Sequence, residues 1–371
     1  MKILFSSWLG YPHSFSYVAE NHIKELVLEG HQIYLHKRSP LSREWQKYHK
    51  DINELMPKFS SKIRYASSHD EYDLTVDMAV PPHLPPFRSN CYSTFMVSEF
   101  SRLTEAYLSL FSKVCSIRDI SDKSDFIYTP SEWSSQALQR SGIDSSKIRV
   151  IPHSSSPPIH LSRYSSNELR NRLCETLKIN KNKVIILNIG TPSRNKGVDS
   201  LLETLLASSL TDQITLIFKG NEALYSSKSH FHKLLSVLTA KYKKSLDVRY
   251  IGTKLSNKDL DFLISSVDIY ASLFRAEGFN LPVLESYVRG KILLITKAAP
   301  VTEFIDDDPK VFWVDQTMKA SSEGYLFHEP SLESSIFALD NAVSHVKSES
   351  SINTVKRSWS SWSEVTQLLK P

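Results

Sequence analysis

A chain of 371 residues, 41% of them hydrophobic, is long enough for two domains of ordinary size, each with its own core. Its formal charge of +5 is modest and comes without a dense Lys/Arg tract, which argues against nucleic acid as a partner and leaves small anions, anionic lipid or charged glycan. The three cysteines, Cys91, Cys115 and Cys174, are widely spaced and lack metal-ligand patterns, so they read as buried thiols of a reducing cytoplasm.

Met1 to Ser7 holds one basic residue and a short apolar run broken at Gly10 and Pro12, which fits a first strand better than a targeting segment. A loop from Trp8 to Ser16 leads to a helix around Tyr17 to Glu29 that ends at Gly30, and His31 to His36 is the next strand. Residues 41 to 59 mix Arg43, Trp45, Lys47, Tyr48 and Lys50, and read as a surface helix or, alternatively, an amphipathic one at a membrane edge. A strand from Leu74 to Val80 precedes His83, a residue type suited to proton transfer near neutral pH. Asp125 to Ser134 is a strand that breaks into a helix cap, Arg149 to His153 is another strand, and Pro157-Pro158 marks a linker. No run approaches the roughly 18 apolar residues of a membrane span, so any membrane contact is expected to be peripheral.

The second half opens with a helix near Asn167 to Leu177, and then becomes more informative. Val184 to Gly190 reads as a buried strand, Thr191 to Gly197 as a polar turn, and Val198, Leu201, Leu202, Leu205 and Leu206 fall at helical spacing. Such a strand, basic loop and helix put Arg194 and Lys196 at the carboxyl edge of a parallel sheet, where doubly wound folds bind ligands. Strands follow at Ile214 to Lys219, Val248 to Gly252 and Val267 to Ser272.

Residues 275 to 290 then join two glutamates, Glu277 and Glu285, across a turn containing Gly278 and a helix begun by Pro282. Pro suits the first turn of a helix, where a missing N–H costs nothing. Unpaired amides and the dipole at that helix start favour an anion such as a diphosphate. Ionised carboxylates are pure acceptors, which suits the hydroxyls of a sugar. The plainer alternative is a loop and an amphipathic helix with two solvated glutamates. Ile292 to Thr296 is the following strand, and Trp359, Trp362, Val365 and Leu368 place a helix in the tail. Asp306-Asp307-Asp308 lies in a loop after these motifs and is not read as a metal site, and the 13 histidines contain no metal-ligand spacing.

The segment from Glu277 to Glu285 resembles the E-x7-E signature of retaining glycosyltransferases of family 4, which have the GT-B fold. Lys196-Gly197 matches the family's basic loop, with Thr191 where many members carry an arginine and Arg194 as its substitute. The stretch from Asp125 to Ser134 resembles a glycosyltransferase N-domain, while a single Gly10 stands for the family's glycine-rich loop.

What the resemblance implies is an α/β protein of two Rossmann-like domains facing across a cleft. Residues 1–157 would bind the acceptor, 158–345 the donor, and 346–371 would form a helix crossing back to the first domain. Glu277 would sit by the donor sugar and the reacting centre, with His83 as a catalytic group on the acceptor side. Arg194 and Lys196 would hold the diphosphate, and Gly278, Phe279, Asn280 and Leu281 the sugar and diphosphate. Glu285 would bind the ribose, with Thr253 and Gly10 as further donor contacts; His13 and Glu99 are weaker acceptor-side candidates.

The expected reaction is retaining transfer of a hexosyl unit from a UDP- or GDP-sugar to a glycan or lipid-linked acceptor, with no cofactor and no metal. A non-catalytic glycan-binding or scaffold protein that keeps the fold is the alternative.

Overall fold

The computed structural model describes residues 1–82, 87–111, 116–160, 163–305, 307–348 and 357–371. His83, Cys115 and Asp306 lie outside them. The chain forms two compact units, one of Met1–Ser154, Ala320–Leu326 and Ser360–Pro371, the other of Ser155–Lys319 and Phe327–Trp359.

The first unit holds a seven-stranded sheet built from β1 (Lys2–Ser7), β2 (Gln32–Lys37), β3 (Ile63–Tyr65), β4 (Glu71–Met78), β5 (Arg88–Phe95), β6 (Phe126–Thr129) and β7 (Ile148–Val150). Their order is β3-β2-β1-β4-β5-β6-β7, and each neighbouring pair is parallel. Parallel neighbours require crossovers, which the helix Ser14–Leu28 supplies between β1 and β2 and the helix Glu132–Arg140 between β6 and β7. Ser131 caps the second of these through its side chain. The terminal helix Trp362–Gln367 packs on Ser14–Leu28, where Tyr17 meets Trp362 edge-on and His22 Nδ1 lies 2.8 Å from Thr366 Oγ1. Its buried face is Trp362, Val365, Thr366 and Leu369; Leu368, expected on that face, is 48% exposed because the helix ends one residue before it.

The surface or membrane-edge helix expected over residues 41 to 59 does not form. A 3₁₀ segment, Arg43–Tyr48, and a single helical turn, Ile52–Leu55, occupy this stretch. Trp45 is drawn inward against Trp8 and His13 at ring separations of 5.7 Å, which bends the segment onto the core.

The second unit holds β8 (Val184–Ile189), β9 (Ile214–Lys219), β10 (Asp247–Ile251), β11 (Ile269–Ser272), β12 (Ile292–Thr296) and β13 (Val311–Val314), in the order β10-β9-β8-β11-β12-β13. Every pairing is parallel. A short two-stranded sheet, β14 (Gln316–Ala320) with β15 (Leu326–Pro330), follows in the chain. Two hydrophobic cores cover the two faces of the large sheet, as continuous apolar strands of a parallel sheet require. One packs Ile185, Leu187, Ile217, Tyr270 and Leu293 against the helices Ser166–Leu177, Asn257–Ser266 and Leu281–Val288. The other packs Ile186, Leu216, Phe218 and Ala271 against Val198–Ala207, Ser227–Tyr242 and Leu332–Ser348. Among the described residues no helix is long and apolar enough to cross a membrane.

Candidate active site

In the second sheet the strand order reverses between β8 and β11, so the loops leaving these two strands part at the carboxyl edge. That is the place where open parallel sheets leave a crevice for ligands. Both sequence motifs emerge there: the basic loop follows β8 and the two-glutamate loop follows β11.

Backbone contact locks the two loops together. Gly197 has φ of +62°, and a Cβ built on it would stand 1.7 Å from the carbonyl oxygen of Leu273. A glycine is therefore required here both for the left-handed turn and for the close approach. The carbonyl of Asn195 accepts the N–H groups of Arg275 and Ala276 at 2.7 and 3.1 Å.

Arg275 completes the bracket with its guanidinium, buried to 9% side-chain exposure. It donates to Asp199 at 2.7 Å, to Glu329 at 2.9 Å through Nε, to Ser200 Oγ at 2.8 Å and to the Arg194 carbonyl at 3.0 Å. Its own carbonyl accepts from the His328 N–H at 2.8 Å. The planar fork of arginine suits such a four-way junction.

Lys196 and Glu277 come together as a result. Lys196 Nζ lies 2.8 Å from Glu277 Oε2, with side-chain exposures of 25% and 12%. Their spacing of 81 residues in sequence is closed by the Arg275 bracket and by the approach at Gly197. Arg194 points elsewhere: it is exposed, and its guanidinium lies 5.6 Å from the centre of the Phe327 ring.

The turn beyond Glu277 is buried. Phe279 stacks on Phe304 with ring centroids 4.9 Å apart, and Gly278 is enclosed beside it. Asn280 adopts the left-handed conformation at φ of +74°, and its Nδ2 donates to Ser272 Oγ at 3.2 Å. Asparagine is one of the few residues that enter this region, because its short amide bonds locally. The helix Leu281–Val288 starts at that point, with Pro282 in its first turn and no side-chain cap. Val283, Leu284 and Tyr287 bury one face of it, and Glu285 is held at 9% exposure. At its end Arg289 donates to Asp261 at 2.8 Å and to the Glu285 carbonyl at 2.7 Å, while Asp261 accepts the N–H groups of Ile159 and His160. The chain entering the unit is thereby tied to the end of this helix.

Tyr270 is a member of the site that the sequence reading did not single out. It is wholly buried on β11, its hydroxyl bonds to the Ile189 backbone, and the negative fields of Glu277 and Glu285 both reach it. Burial pushes its hydroxyl pKa up, and the two carboxylates raise it further. The phenol therefore stays protonated in the field of the two glutamates. The only signal in sequence was a polar-tipped aromatic inside a buried strand.

The remaining expected residues are distributed as follows. Thr253 is exposed in the turn after β10, at the same carboxyl edge, and the neighbouring Gly252 carbonyl accepts from the Glu222 N–H at 3.2 Å. Gly10 lies in the first unit with φ of +83°. Its N–H donates to Glu20 at 3.1 Å, and a Cβ on it would stand 2.1 Å from the Lys50 carbonyl oxygen. His13 caps the helix Ser14–Leu28 by accepting from the Phe15 N–H at 3.2 Å, and the Glu99 carbonyl accepts from Trp133 at 2.9 Å. His83 lies outside the described residues. Asp308, from the discounted acidic run, is held by Arg357 at 2.5 and 2.7 Å.

Residues 170–326, which contain both loops, match the sequence model of the family described as glycosyl transferases, group 1. A search of curated protein sequences finds no match. Solved structures do resemble the chain. A sucrose-phosphate synthase from Thermosynechococcus elongatus superposes with a TM-score of 0.65 at 13% identity, covering 100% of this chain and 94% of its own. A glycosyltransferase from Rickettsia africae gives 0.63 at 16% identity, covering 99% and 93%. Anabaena HepE in complex with UDP-glucose gives 0.61 at 16% identity, covering 100% and 98%. The chain therefore has the GT-B fold, with two Rossmann-like domains, and carries the group 1 glycosyltransferase sequence pattern in its second half.

Proposed function

We propose that the protein is a retaining glycosyltransferase that moves a hexosyl unit from a UDP- or GDP-sugar to a glycan or lipid-linked acceptor, without a metal ion. The observation that carries the reading is the Lys196–Glu277 pair, 2.8 Å apart at the switch point of a parallel sheet, inside the segment that matches the family. HepE, solved with UDP-glucose, supports a nucleotide sugar as donor.

In this reading Lys196 and Arg194 take the diphosphate, joined by the amides at the start of Leu281–Val288, and stabilise it electrostatically as it leaves. Lys196 then exchanges Glu277 for phosphate oxygens. Glu277, released to the donor, accepts from sugar hydroxyls and stabilises positive charge that develops on the ring. Glu285 accepts from the ribose. Gly278, Phe279, Asn280 and Leu281 line the sugar, and Thr253 lies towards the base. Attack comes from the face the diphosphate leaves, and the departing phosphate receives the acceptor's proton, so the configuration is kept. His83 is assigned a catalytic role on the acceptor side, and Gly10 a further donor contact. Two buried free thiols, Cys91 and Cys174, support a cytoplasmic setting for the reaction.

Glu277→Gln tests the reading. It keeps the shape and removes the charge, so turnover should fall by about 100-fold or more while donor affinity changes by less than about threefold, the pattern of an interaction made in the transition state. Equal loss of turnover and affinity would remove Glu277 from the reacting centre. Tight donor binding by wild type with neither transfer nor donor hydrolysis would leave the non-catalytic alternative.

A further inference from the structure

Lys219 has no part in the site as described so far, yet it stands beside it. It ends β9, in register with Ile189 on β8 and Ile251 on β10. Its carbonyl accepts the N–H of Gly190 at 3.0 Å, so its α-carbon lies alongside the first residue of the basic loop. Strand alternation puts its side chain on the face of Ile217, which belongs to the core shared with Tyr270, Phe279 and Val283. The cation therefore sits at the carboxyl edge, on the face that carries the two-glutamate helix.

Its local chemistry is incomplete. Among the described residues Lys219 forms no ion pair, and its ammonium donates only to the carbonyl of its own neighbour, Gly220, at 2.5 Å. Lys183 and Lys196, on adjoining segments, both have carboxylates at 3.2 and 2.8 Å. A desolvated charge without a counter-charge is unfavourable until an anion reaches it. Burial pushes the Lys219 pKa down to about 8, with no charged group assisting. The loop beside it opens on the uncharged Thr191, and Arg194 is turned to Phe327.

We infer that Lys219 is a further cation for the donor's diphosphate, placed by the end of β9 rather than by the basic loop. The inference rests on the donor reading above. Lys196 meets the anion from the β8 loop and Lys219 from the adjacent strand end, so that charge from the sheet itself is added to that of the basic loop.

Calorimetric titration of wild type, Lys196→Ala, Lys219→Met and Lys219→Arg with UDP, GDP and ADP, and with the matching monophosphates, tests it. For the diphosphate that wild type binds, Lys219→Met should lose about tenfold to a hundredfold in affinity, what a charge-assisted hydrogen bond supplies. The matching monophosphate should lose less than about threefold, and Lys219→Arg should keep the advantage of the diphosphate over it. The melting temperature of free Lys219→Met should equal or exceed that of wild type, since a half-buried unpaired charge has been removed. Undiminished diphosphate affinity in Lys219→Met overturns the inference. So does an equal loss for both nucleotides together with a lower melting temperature, which marks a structural lysine. If wild type and all variants bind none of the three diphosphates, the donor reading itself fails and the role of Lys219 falls with it. If only Lys196→Ala loses binding, the donor reading stands and Lys219 does not.

Discussion

Gly197→Ala is the most direct test of the idea that backbone contact, rather than charge, brings Lys196 to Glu277. The added Cβ meets the Leu273 oxygen at 1.7 Å, its carbonyl carbon at 2.6 Å and the Phe274 nitrogen at 3.2 Å, all backbone atoms. None can rotate aside. Holding alanine at φ of +62° costs about 1–2 kcal/mol. Overpacking against a fixed neighbour adds about 1–3 kcal/mol. At about 2–4 °C per kcal/mol for a unit of this size, a total of about 2–5 kcal/mol lowers the melting temperature of the second unit by roughly 4–20 °C. If instead the loop gives way, Asn195 loses its bonds to Arg275 and Ala276, and Lys196 moves off Glu277. The stability loss then shrinks and the loss appears in nucleotide affinity. Differential scanning calorimetry with and without the diphosphate reads both quantities. A Gly197→Ala protein that melts and binds like wild type would refute the contact and with it the account of how the two loops are joined.

Two further outcomes follow from buried groups. Arg275→Lys keeps one charge and loses the fork, so the second unit should lose about 2–4 kcal/mol, and binding should weaken in step, because Asp199 and Glu329 are left without a shared partner; unchanged urea unfolding would contradict this. In the first unit, burial pushes both His22 and His153 down to about 3, from an ordinary 6.5. The unfolded chain therefore binds more protons between these values, and stability is full above about pH 6.5 and declines as pH falls towards 3. Each histidine accounts for about 2 kcal/mol lost by pH 5. Thermal melts at constant ionic strength should fall from pH 7 to pH 5, less steeply in His22→Asn; a flat profile would refute the assignment.

The parts of the site that were legible in sequence are those whose chemistry is local. Lys196-Gly197 and the pair Glu277 and Glu285 carry their meaning in short spacings, since a strand, a tight turn and a helix start must follow one another closely for helix-start amides and charged side chains to converge. The α/β class was legible for the same reason, from apolar strands alternating with helices. Arg275 was not, because its partners Asp199 and Glu329 lie 76 and 54 residues away, and a cation before an acidic motif reads as solvated. Tyr270 and Asn280 were invisible as site features for a related reason. The first acts through a hydroxyl whose position depends on β8, and the second through a left-handed backbone that its side chain permits but does not announce. The segment around Trp45 was misread because its mixed composition suits a surface helix, whereas an aromatic cluster with Trp8 and His13 decides its path.

Lys291 shows why burial alone would not have singled out Lys219. Both lie in the same unit, and burial pushes both down to about 8. Lys291, however, donates to the carbonyls of Ser265 at 2.7 Å and Val267 at 3.1 Å, at the end of the helix Asn257–Ser266. Cations are favoured at that end of a helix, where carbonyls lack partners, and Asp268 nearby favours the charge as well. Lys291 is therefore a completed cap, with its charge answered by the fold. Among the described residues Lys219 has a single carbonyl contact and no acidic partner, and it stands at a strand end beside the loop that starts at Gly190. The difference between a structural lysine and one that awaits an anion lies in this count of partners and in the place at the sheet edge, and only the second arrangement leaves the charge to be answered by a ligand.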